Sequence, residues 1–191
     1  MILSAQQILE EIIQGGVIEN ALVDNVNAAS LDIRLGKFIL VESNQYSIRD
    51  TGYMPKVLSL KQRDPLTTTK VDLEKEGSFV LRPGQFILAQ SIEVFHLPDN
   101  ISAEYKLKSS MARIGLEHLN AGWCDAGWNG SVLTLELRNL TTYHEIELCY
   151  GDKIGQMIFY KHHPVPTNHS YATKGSYNGD KEVSSAKPKQ L

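Results

Sequence analysis

The chain has 191 residues, of which 42% are hydrophobic and 21% are charged, so it can form one domain with a substantial core but not two comfortable ones. Its formal net charge of −3 argues against broad electrostatic binding to nucleic acid or to an anionic membrane, because such binding needs an excess of Lys and Arg over a whole face. The 2 cysteines do not make a disulfide framework, and no apolar run approaches the roughly 20 residues of a membrane span, so we expect a cytoplasmic protein.

A short helix is predicted near the N-terminus. Ser4 and Gln7 have the spacing of a capping box, in which each side chain can satisfy a backbone N–H group of the other residue. Apolar residues between positions 8 and 13 recur at helical spacing, and Gly15 with Gly16 ends the pattern. We therefore expect one helix that packs by a single apolar stripe.

After residue 30 the hydrophobic period changes to two, which is typical of β-strands. In SLDIRLG, for example, Leu31, Ile33 and Leu35 alternate with polar residues. The segments SFVL and QFILA flank a turn at residues 82–84, which predicts a hairpin. Further strands are predicted at SIEVF, AEYKL, SVLTLELRN, EIELCY and KIGQMIFY. Their number and spacing predict a mainly β fold, an all-β barrel or jelly roll, that occupies residues 1–161 as a single domain.

Two segments depart from this strand pattern. Residues 45–76 are polar and mixed, which indicates a long excursion over the surface. Residues 162–191 contain few large aliphatic side chains and many Ser, Gly, Lys and Asn. We expect this second segment to be a C-terminal tail that is disordered, or ordered only on a ligand or a neighbouring molecule.

The segment KSSMARIG, which follows the predicted AEYKL strand, places two hydroxyls between two cations. Ser109, Ser110 and Arg113, together with backbone N–H groups at the strand end, are convergent donors of the kind that a polyphosphate needs. The same residues also fit a polar turn whose cations are solvated. The segment alone does not decide between these interpretations.

A second polar position lies on the strand SVLTLELRN, where three leucines at alternate positions share one face and Glu136 lies on the other. This carboxylate is either a residue of the barrel surface or a partly desolvated general base. The preceding segment NAGWCDAGWNG contributes a single acidic residue, Asp125. The 6 histidines and 2 cysteines show no zinc-ligand spacing, which argues strongly against a zinc-dependent deaminase.

Taken in order, NAASLDIRLG, RPGQFILA, KSSxxRxGL, NAGWxDxGWxG, TLELxN and GDKIGQMIF resemble the dCTP deaminase family, which is related to the trimeric dUTPases. The resemblance covers Met1 to about Tyr160. It implies a distorted β-barrel of the dUTPase type that assembles as a homotrimer, or as a hexamer, with active sites at subunit interfaces. It also implies dCTP and dUTP as substrates, dTTP as an inhibitor, and Mg²⁺ that accompanies the triphosphate, with no metal held by the protein and no zinc.

The resemblance assigns roles to individual residues. Glu136 matches the carboxylate that shuttles protons in metal-independent deamination at C4 of cytosine, and Ser109 and the backbone carbonyl of Ala121 match the groups that hold the attacking water. Asp125 matches the aspartate that activates water for attack on phosphorus in dUTPases. A last group of residues matches substrate-binding or phosphate-binding positions: Lys108, Ser110, Arg113, Asn120, Trp123, Tyr171, Lys174 and Tyr177. The tail is thereby expected to act as a lid over the nucleotide.

Gly122 and Trp123 resemble the bifunctional members of the family, which deaminate dCTP and then hydrolyse dUTP to dUMP and pyrophosphate, feeding dTTP synthesis. Members that only deaminate typically have His-Arg at these positions. The sequence therefore favours both steps in one site. Deamination alone, a dUTPase without deamination, and a nucleotide-binding regulator without turnover are the alternatives.

Two positions depart from the family pattern. Five residues separate Gly130 from Glu136, where members usually have four. Either a β-bulge absorbs the extra residue, or the register slips and Leu135 takes the catalytic position. In the tail, Ser176 precedes Tyr177 where a lysine is often found, and Lys174 or Lys181 is expected to substitute for it. Asp180 stands three residues after Tyr177, where glutamine is usual, and an aspartate there repels phosphates unless Mg²⁺ intervenes.

Overall fold

The computed structural model describes residues 1–43 and 57–188. Within these ranges the chain is mainly β, with short helical segments. The helical segments are α1 (Ala5–Gln7), a π-helical stretch (Ile8–Gln14), a 3₁₀ turn (Val23–Asn25), α2 (Leu73–Glu76), α3 (Ser109–Arg113) and α4 (Tyr171–Lys174). The strands are β1 (Ile18–Glu19), β2 (Leu31–Glu42), β3 (Thr68–Asp72), β4 (Phe79–Leu81), β5 (Phe86–His96), β6 (Ile101–Leu107), β7 (Leu116–His118), β8 (Trp123–Cys124), β9 (Asn129–Asn139), β10 (Ile146–Leu148) and β11 (Lys153–Lys161).

The predicted N-terminal helix is present over α1 and the π-helical stretch. The backbone N–H of Ser4 donates to Oε1 of Gln7 at 3.0 Å, which is one half of the predicted capping box. Ile8 and Ile12 are fully buried, so the segment packs on the sheet by one apolar stripe.

One antiparallel sheet with the strand order β7-β9-β5-β2-β11-β6-β8 forms the body of the molecule, and β1 and β3 add to β5 and β2. The sheet curls so that strands near its two ends come into contact. The ring of Tyr105 in β6 lies 4.7 Å from the ring of His118 in β7. The predicted class, a mainly β protein with a distorted barrel-like sheet and a short N-terminal helix, is confirmed.

The predicted hairpin between SFVL and QFILA is wrong. The turn itself forms, since the N–H of Arg82 donates to Oε1 of Gln85 at 2.9 Å. However, β4 pairs with β10, with Leu81 opposite Ile146, whereas β5 pairs with β2 and β9. QFILA and SIEVF, predicted as two strands, form the single strand β5, whose pairing with β9 is interrupted by an irregularity after Gln90.

A β-bulge near the start of β9 is one of two irregularities in its register against β5, and the other lies between Val132 and Thr134. Neighbouring residues of β5 pair with Asn129 and Ser131, which leaves Gly130 as an extra residue with a φ of 67°. This positive φ is the conformation that glycine adopts without strain. Beyond the bulge, Leu135 is fully buried and Glu136 lies on the opposite face. The register slip that would have placed Leu135 in the cavity does not occur.

β11 and β6 approach each other closely at Gly155 of the GDKIGQ motif, where only a residue without a side chain fits. A Cβ at this position would lie 2.1–2.2 Å from atoms of the Tyr105 side chain, including its hydroxyl oxygen. The absent side chain thus lets the Tyr105 ring lie flat against β11, where it is 1% exposed.

The described part of the C-terminal tail is ordered on the barrel of its own chain, which differs from the expectation of a tail ordered only by a ligand or a neighbour. The N–H of Gly179 donates to the carbonyl of Asn129 at 3.0 Å, and the N–H of Val132 donates to the carbonyl of Asp180 at 2.9 Å. Val183 is 7% exposed.

Of the predicted excursion over residues 45–76, positions 45–56 lie outside the described residues, and positions 68–76 form β3 and α2. No helix in the described ranges is long and apolar enough to cross a membrane.

Candidate active site

A cavity of about 460 Å³ lies between β9, the segment 121–128 and the C-terminal tail. Apolar side chains such as Leu88, Trp128 and Val132 form part of its wall, and a few polar groups converge on it. A mainly apolar cleft of this size with a few convergent polar groups is typical of a small-molecule site.

Glu136 lines this cavity from the middle of β9, where it pairs with Leu88 of β5. Its side chain is 26% exposed, so the carboxylate is partly withdrawn from solvent. The atom Oε2 is buried and accepts no hydrogen bond from any residue in the described ranges. The interpretation of Glu136 as an ordinary residue of the barrel surface is therefore not supported by its environment.

His118 and Tyr105 lie beside Glu136 because the sheet curls. Nε2 of His118 is 3.3 Å from Oε2 of Glu136, a close contact whose orientation does not meet hydrogen-bond geometry. Burial, and then the charge of Glu136, raise the pKa of Tyr105 above its ordinary value. The phenol therefore stays protonated over the physiological range, and its hydroxyl is a second buried polar atom without a partner among the described residues.

Trp123 in the short strand β8 and Asp125 directly after this strand line the cavity together. The indole Nε1 of Trp123 donates to Oδ1 of Asp125 at 2.8 Å. Burial, and then the charges of Asp125 and Glu136, raise the pKa of the Cys124 thiol to about 12. The carboxylates of Asp125 and Glu136 thus place negative charge on the side of the cavity where the Cys124 thiol lies.

Three further predicted residues also line the cavity. Ala121 lies at its edge, and Tyr171 and Tyr177 approach it from the tail. Asn120 precedes this edge in a turn with a φ of 58°, in which its N–H donates to the carbonyl of His118 at 2.7 Å. Neither Asn120 nor the exposed Lys174 is part of the cavity wall.

The KSSMARIG segment lies outside this cavity. Ser109, Ser110 and Arg113 are on α3, where all three are exposed, and Arg113 borders a separate surface depression formed with residues 141–147. A single chain therefore brings Glu136, Ala121, Asp125, Trp123, Tyr171 and Tyr177 together but does not add the predicted phosphate ligands of α3 to them.

Lys108 is already paired within the chain. Its Nζ lies 2.6 Å from Oδ1 of the buried Asp32, which also accepts a hydrogen bond from Nδ2 of Asn27 at 2.8 Å. Lys108 is thus held at the end of β6, and it neutralises a buried carboxylate.

Asp180, the departure from the family pattern in the tail, also has a partner. Nζ of Lys187 forms an ion pair with Oδ1 of Asp180, and the hydroxyl of Ser184 donates to Oδ2 at 2.8 Å. The same Nζ lies 5.1 Å from the centre of the Tyr177 ring. The sequence pointed to Lys174 or Lys181 and not to Lys187, because a pairing across a folded tail leaves no local pattern.

Among the described residues, no group of three or more His, Cys, Asp or Glu side chains lies close enough together to bind a metal ion.

Known proteins resemble this chain in sequence and in fold. A family model described as dCTP deaminase-like matches residues 2–162. A relative from Acidothermus cellulolyticus named "dCTP deaminase, dUMP-forming" is 37% identical over 91% of this chain and 86% of its own. A relative of the same name from Pseudarthrobacter chlorophenolicus is 38% identical over 71% of this chain and 66%, slightly less than two thirds, of its own.

Among solved structures, the crystal structure of 2'-deoxycytidine 5'-triphosphate deaminase from Agrobacterium tumefaciens matches with a TM-score of 0.63 and 27% identity. The match covers 85% of this chain and 48% of that chain, so this chain spans about half its length. Fold, family model and relatives lead to one conclusion: the chain belongs to the dCTP deaminase family.

Proposed function

We propose that this chain deaminates dCTP at C4 and then hydrolyses the dUTP to dUMP and pyrophosphate in the same cavity. The observation that carries the proposal is the position of Glu136, whose Oε2 is buried, unpaired among the described residues, and part of a cavity that also contains Asp125. The relatives named "dCTP deaminase, dUMP-forming" support both steps.

In the first step, Glu136 accepts a proton from water as the oxygen adds to C4 of cytosine. It then returns protons to the ring nitrogen and to the departing amine, so that dCTP and water give dUTP and ammonia. The carbonyl of Ala121 at the cavity edge accepts a hydrogen bond from the water, and the hydroxyl of Ser109 completes its position. The apolar wall excludes further solvent and strengthens these interactions.

In the second step, Asp125 accepts a proton from a second water that attacks the α-phosphorus, and the bond to the β-phosphate breaks with release of pyrophosphate. Mg²⁺ bound through the phosphates offsets their charge beside Asp125 and Glu136. The residues that hold the substrate are the aromatic side chains of the cavity, Trp123, Tyr171 and Tyr177.

Ser109, Ser110 and Arg113 act in the cavity of a neighbouring subunit of a homotrimer. Their exposure on α3, outside the cavity of their own chain, supports this arrangement. A hexamer made of two trimers keeps the same sites. Inhibition by dTTP and a cytoplasmic location stay predictions.

Two inactive variants test the shared site. Glu136→Gln and Arg113→Ala, each inactive alone, should recover up to about a quarter of wild-type deamination when coexpressed, because about one site in four of a randomly mixed trimer has both intact residues. Mixed oligomers without activity would contradict a site built from two subunits.

Product analysis tests the function itself. The chain is incubated with dCTP and Mg²⁺, and dCTP, dUTP and dUMP are resolved. Formation of dUMP supports both steps, and dUTP alone limits the chain to deamination. If dCTP is not consumed, a second incubation with dUTP separates a dUTPase, which forms dUMP, from a regulator, which binds nucleotide without product.

A further inference from the structure

One hydrogen bond in the cavity connects an indole to a carboxylate. Trp123 donates from Nε1 to Oδ1 of Asp125 at 2.8 Å, and no other described side chain donates to this carboxylate. Because the indole nitrogen is only a donor, it fixes one oxygen of Asp125 as an acceptor and leaves Oδ2 for other groups. The two residues are two positions apart on either side of Cys124, so both side chains lie on the same side of the segment.

Although 56% of Trp123 is exposed, one side of its indole packs against neighbouring strands. Its ring lies 5.7 Å from the ring of Tyr160 in β11, and the hydroxyl of Tyr160 donates to Oε2 of Glu104 at 2.9 Å. Glu104 in turn is the β6 residue that pairs with Trp123. Three neighbouring strands therefore restrict where the indole N–H can point.

We propose that Trp123 is a positioning residue for the phosphate-ester step: it holds the Asp125 carboxylate in the one rotamer that directs Oδ2 at the attacking water. This inference rests on the proposed function. The water loses its proton to Oδ2 as its oxygen bonds to the α-phosphorus, and the electron pair of the broken bond leaves with pyrophosphate. Deamination uses Glu136 in place of Asp125, so this hydrogen bond affects the two steps unequally.

Kinetics of the two steps test this role. In Trp123→Phe, which keeps an aromatic ring against Tyr160 but lacks the N–H, kcat for dUTP hydrolysis should fall about tenfold relative to kcat for dCTP deamination, the fold-change expected for one hydrogen bond to a charged group. dUTP then accumulates during dCTP turnover. The rate of dCTP deamination in the same variant is the internal control, because that step uses Glu136 in place of Asp125. Trp128→Phe, which lacks the other indole N–H of this segment, serves only to assign the spectrum described next.

An NMR measurement tests the hydrogen bond without any turnover. The chain has 2 tryptophans, so its indole ¹H–¹⁵N spectrum contains two resonances, which the Phe variants assign. Asp125→Ala should shift the Trp123 resonance and leave that of Trp128 in place.

The outcomes separate this role from the proposed function. If the wild-type chain forms no dUMP from dCTP or dUTP, the second step and the role of Trp123 in it are both overturned. If dUMP forms and Trp123→Phe slows both steps in the same proportion, or Asp125→Ala leaves the Trp123 resonance unshifted, the role of Trp123 alone is overturned.

Discussion

The carboxylate of Glu136 has one oxygen that is buried and has no hydrogen-bond donor among the described residues. An unpaired buried acceptor costs about 1–3 kcal/mol, and native proteins leave few of them. The neighbouring residues cannot offset this cost, since His118 is close but poorly oriented and the Tyr105 hydroxyl is also unpaired. Under the proposed function, a water molecule or the 4-amino group of cytosine is the donor that would satisfy this oxygen.

Glu136→Gln tests the proton shuttle. Glutamine has the same shape but does not accept a proton, so ammonia release from dCTP should fall at least about 100-fold. Calorimetric titration should still detect dCTP binding, and dUTP hydrolysis, which uses Asp125, serves as the internal control. Ammonia release at the wild-type rate would contradict the proposed role of Glu136.

His118 is expected to restrict the position of the Glu136 carboxylate through the close contact of its Nε2 with Oε2. His118→Ala removes this contact and leaves a space, so kcat for deamination should fall about tenfold. His118→Gln places an amide N–H close to the position of Nε2 and should retain most of the rate. Unfolding in urea, measured for both variants, separates a loss of rate from a loss of folded protein, and equal rates in the two variants would contradict the role.

His118 and Trp123 illustrate what the sequence could not predict about the site. The alternation of β9 predicted the side of the strand on which Glu136 lies, because side-chain direction is a local property. The proximity of His118 arises only when the ends of the sheet meet, and that depends on the curl of the whole sheet. The Trp123–Asp125 hydrogen bond could not be predicted for another reason. Side chains two positions apart in the sequence often lie on the same side of a strand without contacting each other.

At the scale of elements, the strands were easier to predict than their partners. The alternating pattern located β9 and β11 nearly to their ends, and Gly130 forms one of the two register irregularities of β9. The hairpin failed because β4 joins β10, more than 60 residues away along the chain. Pairing over such a distance is decided by the packing of the whole fold, and short turns do not encode it.

Gly155→Ala tests the close approach of β11 to β6. The added methyl group collides with the Tyr105 ring, so the free energy of unfolding in urea should fall by about 1–3 kcal/mol. In a Tyr105→Leu background, which lacks the ring atoms that meet the new Cβ, the same substitution should cost less. An equal cost in both backgrounds would show that the Tyr105 ring is not the obstacle.

At the scale of the whole molecule, the described part of the tail forms one wall of the cavity. Its hydrogen bonds with β9 join backbone groups and also use the side chains of Asn178 and Ser131, which lie far apart along the chain, so composition alone did not predict them. The Lys187–Asp180 ion pair and the burial of Val183 add specific side-chain contacts.

Lys187→Ala is expected to loosen the tail without unfolding the barrel. Hydrogen exchange at the amide of Val132, which donates to the carbonyl of Asp180, should become faster, while amides in the centre of the sheet keep their protection. The matched control is Lys181→Ala, because Lys181 forms no ion pair with a described residue. Unchanged exchange at Val132 in Lys187→Ala would show that the ion pair does not hold the tail.

The indole of Trp128 is stacked on Phe95 inside the barrel and donates to the carbonyl of Tyr177 in the tail at 3.1 Å. Any movement of the tail away from the barrel must break this hydrogen bond and expose the Trp128 ring to water. The fluorescence of Trp128 is therefore a built-in probe of tail movement. In a Trp123→Phe background, Trp128 is the only remaining tryptophan. The wavelength of its emission maximum then reports movement of the tail in real time without an attached dye.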